Sequence, residues 1–211
     1  MREIKICIGA DSRAVIPVGK SWVDHFNRKY KLDPFILLKG CVYFSDIYAH
    51  ARTLKEINQH FDICIIQLGL NENVIPWNLS ALDCVYKDLD PNWQAHTAKA
   101  PDFANGFRSF KNCYYYFNED LVIETFKVIR KYCDKLLYVE IPYNWVDFWE
   151  RTILTNQIYG NLSDAVIKMP TDPGFPAKCT TNTPQDQCHY LETYTEELAD
   201  MIFAGVEKLA T

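Results

Sequence analysis

The sequence predicts an α/β fold: a parallel β-sheet of five strands with helices on both of its faces. Three observations point there. Short apolar runs recur along the chain, amphipathic segments of helical period separate them, and a Gly or Asp closes several of the runs. Strands alternating with helices require crossover connections, which are right-handed in nearly all proteins and place helices on both faces of the sheet.

The elements follow in order. Residues 4–9 form a first strand, apolar and ending at Gly9-Ala10-Asp11. Residues 18–29 read as a helix because Val18, Trp22 and Phe26 recur at four-residue spacing. Residues 34–38 are a second strand, followed by Gly40, and residues 44–58 a second helix with Phe44, Ile47, Leu54 and Ile57 inward. Residues 62–68 are the strongest strand, with Ile63, Ile65, Ile66 and Leu68 almost uninterrupted. From Glu72 to Asn118 the chain is polar and aromatic and carries Pro76, Pro91, Pro101 and Gly106, which favours a long loop over one continuous element. Asn118 can cap the next helix, whose stripe is Leu121, Val122, Thr125, Phe126, Ile129 and Cys133. Residues 136–141 are a fourth strand, 145–159 a helix, and 165–169 a fifth strand. Residues 192–209 close the chain as a helix with Leu198, Met201, Ile202, Val206 and Leu209 inward.

Composition narrows the function classes. A chain of 211 residues with 48% hydrophobic content suits one domain, residues 1–211, that buries roughly 70% of its unfolded surface. The net charge of −5, with signs mixed along the chain, excludes a basic stripe for nucleic acid. No window approaches the roughly 18 apolar residues of a membrane span, and the chain reads as cytoplasmic. Eight cysteines, thinly spread and several inside apolar runs, read as buried free thiols rather than a disulfide framework. Cys179, Cys188 and His189 lack a fourth partner for a zinc site, and neither a metal nor an organic cofactor is expected. Three histidines, His25, His50 and His60, fall on predicted helices as solvated faces or helix ends.

Two distant segments carry chemistry. Ile6-Cys7-Ile8-Gly9-Ala10-Asp11-Ser12 puts a serine just past a strand, and Asp186-Gln187-Cys188-His189 puts a carboxylate three residues before a histidine. A serine hydroxyl needs a nearby base to take its proton during attack. His189 can be that base if Asp186 accepts a hydrogen bond from its other ring nitrogen. The backbone N–H groups of Ser12 and Gly40 and the side-chain amide of Asn71 suit an oxyanion hole. Read singly, each has a plainer role: Ser12 and Asp186 as helix caps, His189 on the surface, Gly69 and Asn71 in a turn.

Read together, these segments resemble the SGNH/GDSL hydrolase family in four blocks, in order and over essentially the whole chain. Asp11-Ser12 corresponds to the family's Gly-Asp-Ser turn, with Ala10 in the glycine's place. Gly40 corresponds to the oxyanion-hole glycine, Gly69-Leu70-Asn71-Glu72 to Gly-x-Asn-Asp with Glu for Asp, and Asp186-Gln187-Cys188-His189 to Asp-x-x-His. The resemblance implies a flavodoxin-like, three-layer α/β/α sandwich. It also implies a catalytic set of Ser12, Asp186 and His189 and an oxyanion hole of Ser12, Gly40 and Asn71. The expected activity is hydrolysis of a small-molecule ester, such as an O-acetyl group on a sugar, through an acyl-serine intermediate.

Two alternatives remain open: acyl transfer from the same intermediate to a sugar hydroxyl, and a non-catalytic glycan-binding role suggested by Ala10 and Glu72. Trp77, Trp93, Phe103, Phe107, Tyr143, Trp145 and Trp149 either face a sugar ring or pack the loops, and His96 is a candidate substrate contact. Arg13 either meets an anionic group or is a solvated charge.

Overall fold

The computed structural model describes residues 4–10, 12–15, 18–31, 34–38, 46–68, 74–75, 114–115, 119–141, 149–170 and 190–211. In chain order the elements are β1 (Ile6–Ala10), a 3-10 turn (Ser12–Ala14), α1 (Trp22–Tyr30), β2 (Phe35–Leu38), α2 (Asp46–Ile57), β3 (Phe61–Gln67), β4 (Val74–Ile75) and β5 (Tyr114–Tyr115). There follow α3 (Glu119–Ile129), β6 (Cys133–Val139), α4 (Trp149–Asn161), β7 (Ala165–Ile167) and α5 (Glu192–Ala210).

The main sheet runs β2-β1-β3-β6-β7, and each of its pairings is parallel. β4 and β5 pair antiparallel as a separate ribbon within the stretch read as a loop.

Alternation along the strands divides the core in two. Cys7, Cys64, Ile66, Leu136 and Tyr138 pack with Ile47, Ala51 and Leu54 of α2, Val122, Phe126 and Ile129 of α3, and Ile158 and Tyr159 of α4. Ile6, Ile8, Ala10, Ile63, Ile65, Leu137 and Val139 pack instead with Trp22, Val23 and Phe26 of α1 and Tyr194, Leu198, Ala199, Ile202 and Val206 of α5. A period of two sends successive side chains to opposite faces, so a strand apolar at nearly every position is buried on both.

Where boundaries differ from expectation, a local contact explains the shift. α1 begins at Trp22 rather than residue 18 because Ser21 caps it. Its hydroxyl accepts the Asp24 N–H, and the Asp24 carboxylate accepts the Ser21 N–H in return. Gly19, at φ 77°, turns the chain just before, and Val18, expected on the buried face, is 88% exposed. The same helix stops at Lys31, whose left-handed φ of 53° lets its N–H reach the Asn27 carbonyl.

Asn58 ends α2 in the same manner, and Ile57 is exposed rather than inward. Cys133 belongs to β6 and not to the α3 stripe. The N–H groups of Lys131 and Tyr132 bond the carbonyls three residues back, close the helix, and release the chain into a strand three residues earlier than expected. Met201 and Leu209 of α5 are half-buried, while Leu198, Ile202 and Val206 are fully inside.

Two groupings bind outer elements to this frame. Asp164, just before β7, accepts from the Leu136 N–H and the Arg130 guanidinium. Burial alone would raise its carboxyl, but those two donors hold it below the usual range. Across α1 and α5, Tyr30 stacks on Phe203 and donates to Asp200, which Lys29 also pairs. Lys29 and Asp200 are both more than a third exposed, so the ion pair adds little beside the stacked rings. Among the described residues no helix is long and apolar enough to cross a membrane.

Candidate active site

Because the main sheet is parallel, its strands end on one edge, and the loops beyond that edge form the crevice in folds of this class. Ala10 is level with Leu38 on one side and Gln67 on the other. Ser12 opens the 3-10 turn two residues past the end of β1. Ala10 is a strand residue with no exposed surface, and its methyl group packs in the core under α1 and α5. Arg13 is 2% exposed, which overturns the reading of it as a solvated charge.

Of the site residues expected from sequence, the backbone of Ser12 is placed at this edge. Asp11, Gly40, Asn71, Asp186 and His189 lie outside the described residues, as do Gly69, Glu72, His96, Trp77, Trp93, Phe103, Phe107, Tyr143, Trp145, Cys179 and Cys188. Trp149 is the first residue of α4.

A buried polar chain runs along the same edge. The indole Nε1–H of Trp22 donates to Gln67 Oε1 at 2.7 Å, and Gln67 Nε2 donates to the Tyr190 hydroxyl at 2.8 Å. All three residues are inaccessible to solvent. Tyr190 is the residue after His189, and its ring also leans on Tyr194 in the first turn of α5. A lone glutamine at the end of the most apolar strand is the sequence signal for this chain; its partners have none.

The exits of β6 and β7 are fixed comparably. Glu140, 2% exposed, accepts from the Met169 N–H and from Lys168 Nζ. Asn156 of α4 takes the Ile141 N–H with Oδ1 and gives Nδ2–H to the Ile141 carbonyl, while Tyr138 donates to the same Oδ1. A side-chain amide thus replaces the missing strand partner for backbone groups that would otherwise be buried unpaired.

His50 corrects a further expectation: it is buried, not on a solvated face. Its ring lies against Gly9, and Nε2 stands 3.2 Å from Cys64 Sγ. Among the described residues Cys7, Cys64 and Cys133 are free buried thiols, as the cysteine pattern suggested.

Cys7, His50 and Cys64 bring three donor atoms within 4.8 Å of one another, the spacing of a metal-ligand set. The rest of the geometry suits a neutral cluster better. Contacts with Cys133 and Cys7, together with burial, push the Cys64 thiol well up in the metal-free cluster. A metal on Nε2 would put the ring's proton on Nδ1, which is buried and has no hydrogen-bond partner. Ligating histidines ordinarily anchor that second nitrogen on an acceptor. A neutral ring that donates Nε2–H to Cys64 leaves Nδ1 without a proton to place, and the Gly9 backbone packs against the ring.

Burial pushes the His50 imidazole down to about 4, against roughly 6.5 in an unfolded chain. Between these values the unfolded state binds more protons, so acid favours unfolding. The contribution is fully present above about pH 6.5 and is lost toward pH 4, for a total of roughly 3 kcal/mol. Thermal melts between pH 7.5 and 4.5 are expected to show an acid-side decline that flattens in His50→Ala. Equal slopes in the two proteins would assign the decline elsewhere.

No protein-family model matches the sequence, and no curated protein matches it either. Solved structures do match in shape. The esterase EstA from Pseudoalteromonas sp., inhibited by monoethylphosphonate, aligns over 97% of each chain at 13% identity and a TM-score of 0.54. A lipolytic protein of the G-D-S-L family from Veillonella parvula aligns over 94% of this chain and 95% of its own at 10% identity and a TM-score of 0.56. A variant of Axe2, an acetyl xylan esterase from Geobacillus stearothermophilus, aligns over 95% and 93% at 14% identity and a TM-score of 0.50. With its parallel sheet and its serine turn at the end of β1, the chain has the fold of the SGNH/GDSL hydrolases.

Proposed function

We propose that this chain is a three-layer α/β/α ester hydrolase of the SGNH/GDSL type that works through an acyl-serine intermediate. The observation that carries the reading is the placement of Ser12 two residues beyond β1 on the carboxyl edge of the sheet, in a fold it has in common with esterases. In this reading His189, oriented by Asp186, takes the Ser12 proton as the hydroxyl attacks the ester carbonyl. The N–H groups of Ser12 and Gly40 and the Asn71 amide hold the oxyanion. The alcohol leaves with the proton from His189, and water activated by the same imidazole then releases the acid.

Small O-acyl groups, acetyl above all, on a carbohydrate are the proposed substrate. The support is the acetyl xylan esterase among the structural neighbours and the aromatic residues of the loops.

A reactive phosphonate ester, p-nitrophenyl ethylphosphonate, tests the nucleophile directly. One equivalent is expected to add to the protein, to map to the peptide containing Ser12, and to abolish release of p-nitrophenol from p-nitrophenyl acetate in proportion. Labelling at another residue, or full turnover by the labelled protein, would sink the assignment.

A further inference from the structure

The two segments of the proposed site are 174 to 177 positions apart in sequence, Ser12 against Asp186 and His189, and must be held in one register. Gln67 touches both sides of that problem. Its backbone pairs with Ala10, two residues before Ser12, and its side chain bonds Tyr190, one residue after His189. One peptide unit separates neighbouring Cα atoms by 3.8 Å, so an anchor at residue 190 strongly limits where residue 189 can sit.

We propose that Gln67 is a positioning residue: its amide, oriented by Trp22, holds Tyr190 and thereby sets His189 against Ser12. The proposal rests on the hydrolase reading above and names the part of the core that serves it.

The chemistry of the amide explains the residue type. A buried amide can accept at one end and donate at the other, and here it does both at once. The Trp22 indole can only donate, so it fixes Oε1 toward α1 and turns Nε2 toward Tyr190. Glutamate could accept from both Trp22 and Tyr190 but would bury a charge in a solvent-free core, and leucine would offer neither group. A polar chain of this kind costs stability unless each member is satisfied, so its presence in an apolar core needs a reason. A stabilising role alone would be met as well by a leucine–phenylalanine contact of similar volume.

Misplacing a catalytic group by about 1 Å can lower the rate about 100-fold. Tyr190→Phe keeps the ring and removes the anchoring oxygen; Gln67→Leu removes both bonds. Both are expected to lower kcat for p-nitrophenyl acetate about 10- to 100-fold with KM changed less than about 3-fold. Phosphonylation of Ser12 should slow by a similar factor. The double variant should be no slower than the worse single one, because both remove the same link.

Wild-type kcat and labelling rate in two folded single variants would overturn the positioning role and leave the hydrolase reading intact. Multiplying losses in the double variant would overturn it as well. Absence of any Ser12-dependent turnover or labelling in the wild type would overturn the hydrolase reading itself, and this inference with it. Should Gln67→Leu fail to fold, Tyr190→Phe and Trp22→Phe, each lacking one polar group, provide the same comparison.

Discussion

Ser12→Ala is expected to lower kcat for p-nitrophenyl acetate by about 10⁴-fold or more, with the protein still folded and KM little changed. The alanine keeps the backbone N–H at the turn after β1, so the donors proposed for the oxyanion remain. What it removes is the oxygen that, in the proposed mechanism, forms the acyl bond. Without that atom no covalent intermediate exists, and water must attack a carbonyl positioned only by binding and the remaining donors. Removing the nucleophile from a serine–histidine–aspartate set has an effect of this order, because its members act as a unit. Steady-state kinetics with matched thermal melts check the result. A variant retaining half the wild-type rate would mean that another nucleophile, or none, carries the turnover.

Gly9→Ala is expected to destabilise the protein by about 1–3 kcal/mol, the usual range for forcing an extra methyl group into a packed core. A Cβ at residue 9 would stand 2.6 Å from Cε1 and Nδ1 of His50 and 2.8 Å from Nε2. Neither side can yield easily. Gly9 is in register with Leu37 and Ile66 inside the sheet, and the His50 ring is buried and bonded to Cys64. For a chain of this size the loss corresponds to a fall in Tm of roughly 2–12 °C.

A double-mutant cycle isolates the contact. His50→Ala alone should destabilise by leaving a cavity, and the pair should be better than the sum of the singles by about 1 kcal/mol or more, since the alanine removes the ring that the new methyl group meets. Simple additivity would show that the methyl group is resisted by something else. Gly9 is also three residues from Ser12, so the single variant should lose activity beyond its loss of stability.

These two positions illustrate how differently the sequence speaks for site and scaffold. Ser12 is a candidate the sequence can name because its neighbours form a recognisable block after an apolar strand. Gly9 reads from sequence as part of that same block, yet its structural need comes from His50, forty-one positions away on α2. His50 itself, flanked by Tyr48, Ala49 and Ala51, carries no local mark of burial, and a histidine at a helix position is ordinarily solvated. The catalytic residues proposed here were named from sequence motifs, whereas Gln67, Tyr190 and Trp22 emerged only from their mutual hydrogen bonds.

The sequence by itself determined the alternation of strands and helices and which faces are apolar. Hydrophobic period follows from the rise and twist of a single element, and Ile63-Cys64-Ile65-Ile66 needs no partner to read as a buried strand. Element ends were set less firmly: Val18 continued a helical spacing, but the Ser21–Asp24 capping pair started the helix later. Only the tertiary structure decided the strand order, the buried thiol–imidazole cluster, and the polar chain from Trp22 through Gln67 to Tyr190. Each depends on which distant side chain arrives within about 3 Å of another. That is fixed by how helices and strands dock, since a hydrogen bond or a steric limit between remote residues leaves no period in the chain.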